Sequence, residues 1–175
     1  MAVVGVVVAV IYLFVPHTEQ DPVKPVDYTV ELTTARRAAP FPVLAPEGLS
    51  KEWRATSVRY DHHDPKAGGA VWHLGFINPR DEYAAVEQSN GPARPFVEDK
   101  SKRARRDGTV RIQGEQWDRY TGEKYNALAR TDDSGVTTVV TGTATHGDLA
   151  ELANALRPGE PQQPSQQPTG RTPGR

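Results

Sequence analysis

The distribution of apolar residues divides the chain into three parts. Residues 2–15 read AVVGVVVAVIYLFV and carry no charged side chain. From residue 53 onwards apolar and polar residues alternate with a period of two, which is typical of strands with one buried face. Close to the C-terminus the apolar spacing becomes helical, and the last residues are polar and rich in Pro and Gln. The pattern predicts a strand-rich domain between two segments of different character.

Alternation and turn residues predict a largely antiparallel sheet of about six strands. Seven segments favour strands and supply the candidates for this sheet: residues 53–60, 70–77, 83–87, 109–112, 115–120, 125–130 and 136–143. In the first strand, strict alternation places Ala55 and Ser57 on one face and Val58 and Tyr60 on the other. Residues 61–69 are predicted to form a loop.

One to three helices are predicted to pack on this sheet, which gives an α+β fold. Residues 33–39 favour one or two helical turns, and residues 92–106 favour a helix with acidic residues early and basic residues late. The C-terminal helix is the clearest, because Thr145 and Asp148 form a capping box. Its apolar stripe follows at helical spacing and consists of Leu149, Leu152, Ala153 and Leu156.

The domain organisation follows from these segments. We expect an N-terminal membrane anchor over residues 1–16 and a stiff, Pro-rich extracytoplasmic spacer over residues 17–27. An α+β domain is predicted over residues 28–157, and a disordered tail over residues 158–175.

The opening run is short for a membrane span, which needs about 20 apolar residues. It lacks the basic start and the small-residue cleavage site of a secretory signal. We therefore expect the outer portion of a truncated anchor, with Met1 encoded by an internal codon of a longer reading frame. A buried β-strand is the alternative, because Val and Ile favour strands.

Composition excludes several classes of site. The 175 residues contain no Cys, so disulfides and thiolate metal sites are excluded. The formal charge of −1 provides no global attraction to nucleic acid, and no nucleic-acid partner is expected. The sequence contains no nucleophile elbow, phosphate loop, HExxH motif or dinucleotide turn. We predict no cofactor and favour a non-enzymatic function.

Three groups of residues are candidates for binding. His62, His63 and Asp64 have the chemistry of metal ligands, although a solvated loop is the simpler interpretation, and His73 is predicted on the exposed face of the next strand. The basic residues Lys102, Arg103, Arg105 and Arg106 are candidates for contact with a polyanion, such as anionic lipid headgroups or cell-wall polymers, or form a solvated helix end.

The tryptophans form the third group. Trp53, Trp72 and Trp117 all lie on predicted strands, where packing in the core is the default interpretation. One of them is a candidate for the wall of a cleft between sheet and helix, where aromatic rings and a few polar groups bind small ligands.

Several short motifs recur together in a known order: WRATSVRY (53–60), AVWHLGF (70–76), WDRY (117–120), ALAR (127–130) and TVVTGTA (138–144), the last before a Leu-rich helix. Over residues 33–156 the chain resembles a family of uncharacterised actinobacterial proteins with one N-terminal membrane segment and an exported domain of unknown function. The resemblance implies an outward-facing domain and supplies no catalytic residues. The chain departs from the family at its start, where basic cytoplasmic residues are absent.

We therefore expect a single-pass protein of the cell membrane with its C-terminal domain outside the cytoplasm. The lipid bilayer is the expected partner of the N-terminal segment, and the domain is predicted to bind a ligand, an envelope polymer or a protein. The first alternative is an envelope hydrolase or metal-dependent enzyme that uses the region of His62, His63 and His73. The second alternative is a transmembrane sensor.

Overall fold

A computed structural model describes residues 25–159 of the chain. Within these residues lie three helices, α1 (Thr29–Ala38), α2 (Ala93–Lys100) and α3 (His146–Ala155). The strands are β1 (Leu44–Pro46), β2 (Arg54–Asp64), β3 (Gly69–Ile77), β4 (Tyr83–Ser89), β5 (Arg105–Ile112), β6 (Glu115–Thr121), β7 (Asn126–Thr131), β8 (Thr137–Gly142) and β9 (Leu156–Pro158).

Seven strands form one sheet in the order β2-β3-β4-β8-β7-β6-β5. Every neighbouring pair in this sheet is antiparallel, as expected for strands that are joined by short turns. The short strands β1 and β9 pair with each other in a separate antiparallel ribbon. The α+β prediction is confirmed, with seven strands in the main sheet and three helices among the described residues.

One face of the sheet, the inner face, carries the main core. Leu74, Val86, Val140 and Leu128 lie side by side on four neighbouring strands, and each is at most 1% exposed. Helices α1 and α3 and the β1–β9 ribbon cover this face. Burial of such aliphatic side chains is the main source of stability in a domain of this size.

Helix α3 forms where its sequence predicts. The Thr145 hydroxyl accepts a hydrogen bond from the Asp148 backbone N–H at 3.3 Å, which satisfies one free donor of the first turn. The buried Asp148 carboxylate accepts a bond from the Thr145 hydroxyl at 2.6 Å and pairs with Arg80. Leu149 and Leu152 are completely buried against the inner face. The predicted cap is confirmed, and so is the apolar stripe as far as Ala153. Leu156, the last residue predicted for the stripe, is buried but begins β9, because α3 ends at Ala155.

The opposite face of the sheet, the outer face, is covered in part by α2. Phe96 and Val97 of this helix pack in a small second cluster with Val71, Ala129 and Val139 from the sheet. Because α2 has only eight residues, the second cluster is much smaller than the core on the inner face.

The face assignment predicted for the first strand is wrong beyond Ala55. A β-bulge between Ala55 and Ser57 inserts one unpaired residue. Val58 therefore pairs with Leu74; without the bulge it would pair with His73, whose side chain lies on the outer face. Val58 and Tyr60 therefore pack against the main core, and Ser57 belongs to the outer face. Beyond the bulge, which lies near the start of β2, each residue therefore lies on the face opposite to the one that strict alternation from Ala55 predicts.

Two predicted helix boundaries also change. Helix α1 begins at Thr29, four residues earlier than expected, and α2 ends at Lys100 instead of continuing to residue 106. The Arg103 backbone N–H bonds the Glu98 carbonyl at 2.8 Å and closes the last turn of α2. The chain then enters β5 at Arg105.

The predicted anchor over residues 1–16 lies outside the described residues, as do most of the predicted spacer and tail. Among residues 25–159, none of the helices combines the length and the apolar character that a membrane crossing requires. The predicted segment boundaries stay predictions.

Candidate functional site

Trp72 is a structural residue of the inner face. It has no exposed surface, and its indole N–H donates to the Leu44 carbonyl at 3.0 Å. Its cross-strand neighbour Gln88 accepts a hydrogen bond from the Leu44 backbone N–H at 2.7 Å. Two side chains of the sheet thus satisfy both backbone groups of Leu44 and hold β1 in place.

Trp53 lies at the end of the sheet where β2 begins. Its ring meets Phe76 edge to face at 6.3 Å, and its indole N–H donates to Glu151 of α3 at 3.3 Å. Trp53 and Tyr28 line a shallow depression of about 390 Å³. With 7% of its surface exposed, Trp53 mainly joins α3 to the sheet.

Trp117 lines a cleft of about 290 Å³ between the sheet and the end of α3, which we name the Trp117 cleft. Trp117 and Ile112 form the wall on the sheet side, and Leu156 and Leu44 form the opposite wall. The Gln113 side-chain amide donates to an α3 carbonyl, that of Asn154, and so connects the β5–β6 turn to the helix. The cleft is therefore bounded by four parts of the fold: the sheet, the β5–β6 turn, the end of α3 and the β1–β9 ribbon.

Polar groups converge at the mouth of the Trp117 cleft. The Arg130 guanidinium lies 5.9 Å from the Trp117 ring, within the range of a cation–π interaction, and pairs with Glu115 at 3.0 Å. The Glu115 side chain is 61% exposed, so it can exchange this partner for a ligand at little cost. Gln88 and Thr138 add amide and hydroxyl groups deeper in the cleft.

A chain of polar side chains crosses the outer face. The Ser57 hydroxyl lies 2.8 Å from His73 Nε2, and His73 Nδ1 lies 2.8 Å from one carboxylate oxygen of Glu87. The other Glu87 oxygen lies 2.8 Å from the Lys100 ammonium at the end of α2. We name Ser57, His73, Glu87 and Lys100 the outer-face relay.

Tyr83 lies beside this relay, because its hydroxyl and the Ser57 hydroxyl both border the position that a side-chain carbon at Gly75 would occupy. Burial raises the pKa of Tyr83 to about 12, and the nearby Glu87 carboxylate acts in the same direction. Gly75 lies opposite Ser57, and a side-chain carbon at Gly75 would collide with the Ser57 hydroxyl. The absence of a side chain at Gly75 therefore leaves room for the contact between Ser57 and Tyr83.

Sequence reasoning named His73 but missed Glu87 and Lys100. Glu87 stands in a strand, AAVEQS, in which every residue is buried. A charged residue inside such an apolar stretch was the available signal, since buried charges are normally paired. The partner Lys100 lies on another element and carries no local signal of this contact.

The residues His62, His63 and Asp64 lie at the end of β2, where a loop was predicted, so that prediction is wrong for them. A second register shift between Asp61 and Asp64 leaves His62 and His63 exposed. The backbone N–H of Ala67 is the main cause of a lowered pKa at Asp64, whose carboxylate organises the following turn. Residues 25–159 contain no group of three His or acidic residues able to hold a metal ion, and metal binding stays a prediction.

The four predicted polyanion-binding residues have different surroundings. Arg106 pairs with Asp118 at 2.7 Å. Lys102, Arg103 and Arg105 are exposed around the turn that joins α2 to β5. Contact with a polyanion stays a prediction for all four.

Comparison with solved structures gives two similar chains, both of low similarity. One belongs to the complex structure of Pseudomonas aeruginosa MucA/MucB and the other to the crystal structure of MucB in complex with MucA(peri). Both show 14% identity and a TM-score of 0.41; the alignments cover 69% and 67% of this chain and 37% of each of those chains. The chain thus spans little more than a third of the proteins that it resembles in structure.

A comparison with curated proteins found no match to this sequence. A family model described as "Protein of unknown function (DUF4245)" matches residues 1–156, which include the apolar start, the whole sheet and α3. The chain belongs to this family.

Proposed function

We propose that the chain is a membrane-tethered, extracytoplasmic binding module, and that the Trp117 cleft binds a sugar unit of an envelope polymer. The Trp117 cleft carries the proposal, because it combines an aromatic wall with an ion pair at its mouth. Ligand sites typically join apolar walls to a few orienting polar groups in this way.

The chemistry of the Trp117 cleft suits one sugar ring. A sugar presents C–H groups on its flat face, which can lie against the apolar lining of the cleft, including the 5% of Trp117 that is exposed. Its hydroxyl groups at the edge can bond Glu115 and Arg130. The volume of about 290 Å³ is close to the lower limit of ligand pockets, about 300 Å³. We therefore expect one ring of a longer polymer to enter, with its neighbours lying outside the cleft.

Titration of the full chain with soluble disaccharide fragments of peptidoglycan tests this function. We expect saturable binding, with NMR shifts at the indole N–H of Trp117. Glu115→Gln should weaken binding roughly tenfold, the size of one charge-assisted hydrogen bond. Asp118→Asn is the matched control, because it also replaces a carboxylate with an amide, breaks a similar ion pair outside the cleft and should leave binding unchanged. Absence of saturation, or equal effects of both variants, would overturn the sugar assignment.

The tether is supported by the apolar residues 2–15 and by the proline-rich stretch that follows them. The native chain has no Cys, so a single introduced thiol can report its location. In intact cells, Asp133→Cys, in the exposed turn between β7 and β8, should react with a maleimide that cannot cross membranes. Labelling only after cell lysis would contradict the extracytoplasmic placement.

The hydrolase alternative has one observation in its favour, the order Ser57, His73, Glu87 in the outer-face relay. In this reaction His73 accepts the Ser57 hydroxyl proton while the serine oxygen attacks an ester carbonyl, and the same proton passes to the leaving alcohol. Water then attacks the acyl-serine, and the acid product leaves. Glu87 would orient the imidazole ring.

A fluorophosphonate probe separates the two functions, because it labels activated serines. Labelling that is lost in Ser57→Ala and in His73→Gln, but kept in Ser134→Ala, would establish the hydrolase. Ser134 is an exposed turn serine that bonds Asp132 and so provides the control. Unlabelled native protein would reject the hydrolase and leave the binding module unaffected.

A further inference from the structure

Four cationic side chains surround a depression on the outer side of the molecule, where the end of α2 faces the β6–β7 turn. We name them the basic cup: Lys102, Arg103, Arg105 and Lys124. All four are exposed, and the depression measures about 720 Å³. Its lining also includes the carboxylate of Glu123, so cations outnumber carboxylates four to one.

The cations of the basic cup differ from their neighbours in the chain. Lys100 pairs with Glu87 at 2.8 Å, and Arg106 pairs with Asp118 at 2.7 Å. Within residues 25–159, no carboxylate lies within 4 Å of the cationic groups of the basic cup, although the Lys124 ammonium lies 5.9 Å from the centre of the Tyr125 ring. The run of basic residues therefore divides into members used inside the fold and members left for solvent or a ligand.

The backbone of the basic cup is strained. Lys102 and Arg103 have φ angles of 55° and 60°, in the left-handed region that favours Gly and Asn. Two successive residues with long side chains pay a conformational cost there, and such strain concentrates at functional positions. The turn directs both cationic side chains into solvent at the rim of the basic cup.

The two walls of the basic cup are fixed against each other. A side-chain carbon at Gly122 would lie 2.8 Å from the Tyr125 carbonyl oxygen and 3.0 Å from the Ala104 side chain. Only a glycine permits this close approach of the β6–β7 turn to the segment between α2 and β5. The cations are thus attached to a preformed backbone and need no large rearrangement to bind an anion.

The basic cup lies at the end of the sheet where the chain enters from its N-terminus. The backbone N–H of Val26 bonds the Ala55 carbonyl at 2.8 Å, at the start of β2. From Ala55 the paired positions lead across β3, β4 and β8 to Asn126, the residue after Tyr125 of the basic cup. Five strand spacings, roughly 24 Å, separate β2 from β6 along this edge.

We propose that the basic cup binds anionic phospholipid headgroups on the membrane that holds the N-terminal segment. The inference rests on the tether of the proposed function. Residues 17–24, between the predicted anchor and the first described residue, can span at most about 28 Å when fully extended. This end of the domain is therefore held near the bilayer, where phosphate groups neutralise unpaired cations at short range.

Energy transfer between the domain and the bilayer tests the proposal on the full chain. A donor dye is placed at Glu123→Cys, beside the basic cup, or at Asp133→Cys, at the far end of the sheet; both changes remove one negative charge. Acceptor lipids are placed in vesicles of phosphatidylcholine, alone or mixed equally with phosphatidylglycerol. Transfer from position 123 should be roughly twofold higher in the anionic vesicles and should fall with added salt. Position 133 should show little difference.

Charge reversal identifies the residues responsible. Lys102→Glu with Arg105→Glu should abolish the difference between the two vesicle types. Arg37→Glu with Arg111→Glu changes the net charge equally, on exposed residues outside the basic cup, and should preserve the difference. Equal transfer in both vesicle types, or equal loss in both double variants, would overturn the proposal.

Three further outcomes have separate meanings. A full chain that fails to float with neutral vesicles would remove the tether and with it the proposed location. A chain that floats with both vesicle types but shows no dependence on the headgroup keeps its tether and loses the lipid site. If transfer is equal in both vesicle types and the cup variant instead loses binding to soluble polyphosphate, the cup binds a polymer and the lipid assignment is wrong.

Discussion

The two faces of the sheet use the same strands for different purposes. At the centre of the inner face, the cross-strand neighbours are aliphatic and at most 1% exposed, and two helices and a ribbon cover them: Leu74, Val86, Val140 and Leu128. On the outer face, the His73 side chain is 18% exposed and lies beside Glu87, and most of the apolar contact comes from one short helix. The middle of the sheet thus buries aliphatic residues on the inner face and paired polar groups on the outer face, whereas the polar side chains of the inner face gather in the Trp117 cleft.

The difference between the two faces shows which side chains mainly stabilise the folded domain and which mainly form polar interactions. Apolar burial, which dominates folding, is concentrated on the inner face. Paired polar groups of the outer face contribute less to stability, because desolvation offsets much of the attraction between buried charges. Loss of an inner residue should therefore threaten the fold, whereas loss of an outer residue should change local properties.

The largest effect is expected for Leu152→Ala on α3. Leu152 is completely buried, so its truncation should lower the free energy of unfolding by about 3 kcal/mol. Val97→Ala on α2 is the matched change for the outer face and should cost about 1.5 kcal/mol. Urea denaturation of the full chain, followed by tryptophan fluorescence, measures both. Equal losses would contradict the assignment of the main core to the inner face.

Glu87→Gln is the next largest change and tests the outer-face relay. It removes a charge that is 8% exposed and contacts both His73 and Lys100, so we expect a loss of about 2 kcal/mol. Glu115→Gln, at an exposed ion pair, should cost less than about 1 kcal/mol in the same denaturation experiment. A cost for Glu87→Gln no greater than that of Glu115→Gln would show that the relay adds nothing to stability.

Thr145→Ala should destabilise the protein by about 1 kcal/mol, because the α3 N-cap loses its hydroxyl acceptor. Thr33→Ala, on the exposed surface of α1, removes a hydroxyl that bonds only the Thr29 carbonyl and should change stability by less than about 0.5 kcal/mol. Thermal unfolding by circular dichroism distinguishes the two. If both threonines behave alike, the cap does not stabilise the helix that covers the inner face.

Tyr83 provides an effect that is absent at neutral pH, because its pH dependence is confined to alkaline solution. Its pKa rises from 10.0 to about 12 on folding, because burial disfavours the phenolate. Between these pH values the unfolded chain releases the proton and the folded chain retains it, so stability falls as pH rises. Tyr83→Phe should make this decline shallower in urea titrations across that range. An unchanged slope would show that Tyr83 ionises normally.

Local patterns were sufficient to predict much of the fold. The β3 strand, the β5–β8 meander and α3 follow from alternation, turn residues and a capping box, which act over a few neighbouring residues. The resemblance to a family of unknown function is likewise supported by the family match over residues 1–156. The sequence alone was therefore sufficient to predict the local secondary structure and the relationship to a family of unknown function.

Features that depend on distant contacts were not predictable. The bulge before Ser57 has no glycine to mark it, and the left-handed residues after α2 are Lys and Arg. The Trp117 cleft requires parts of four elements, and only its tryptophan stood out in the sequence. The relay was missed because Glu87 and Lys100 meet only when α2 packs on the sheet.

Because it joins the two ends of the domain, the β1–β9 ribbon delays the formation of the Trp117 cleft during synthesis. Leu44 pairs with Pro158, so roughly 110 residues must be synthesised before this wall of the cleft can close. A nascent or prematurely terminated chain can form hairpins from β2 to β4, yet it lacks a complete cleft. Ligand binding at the Trp117 cleft would therefore report that translation has reached the end of the domain.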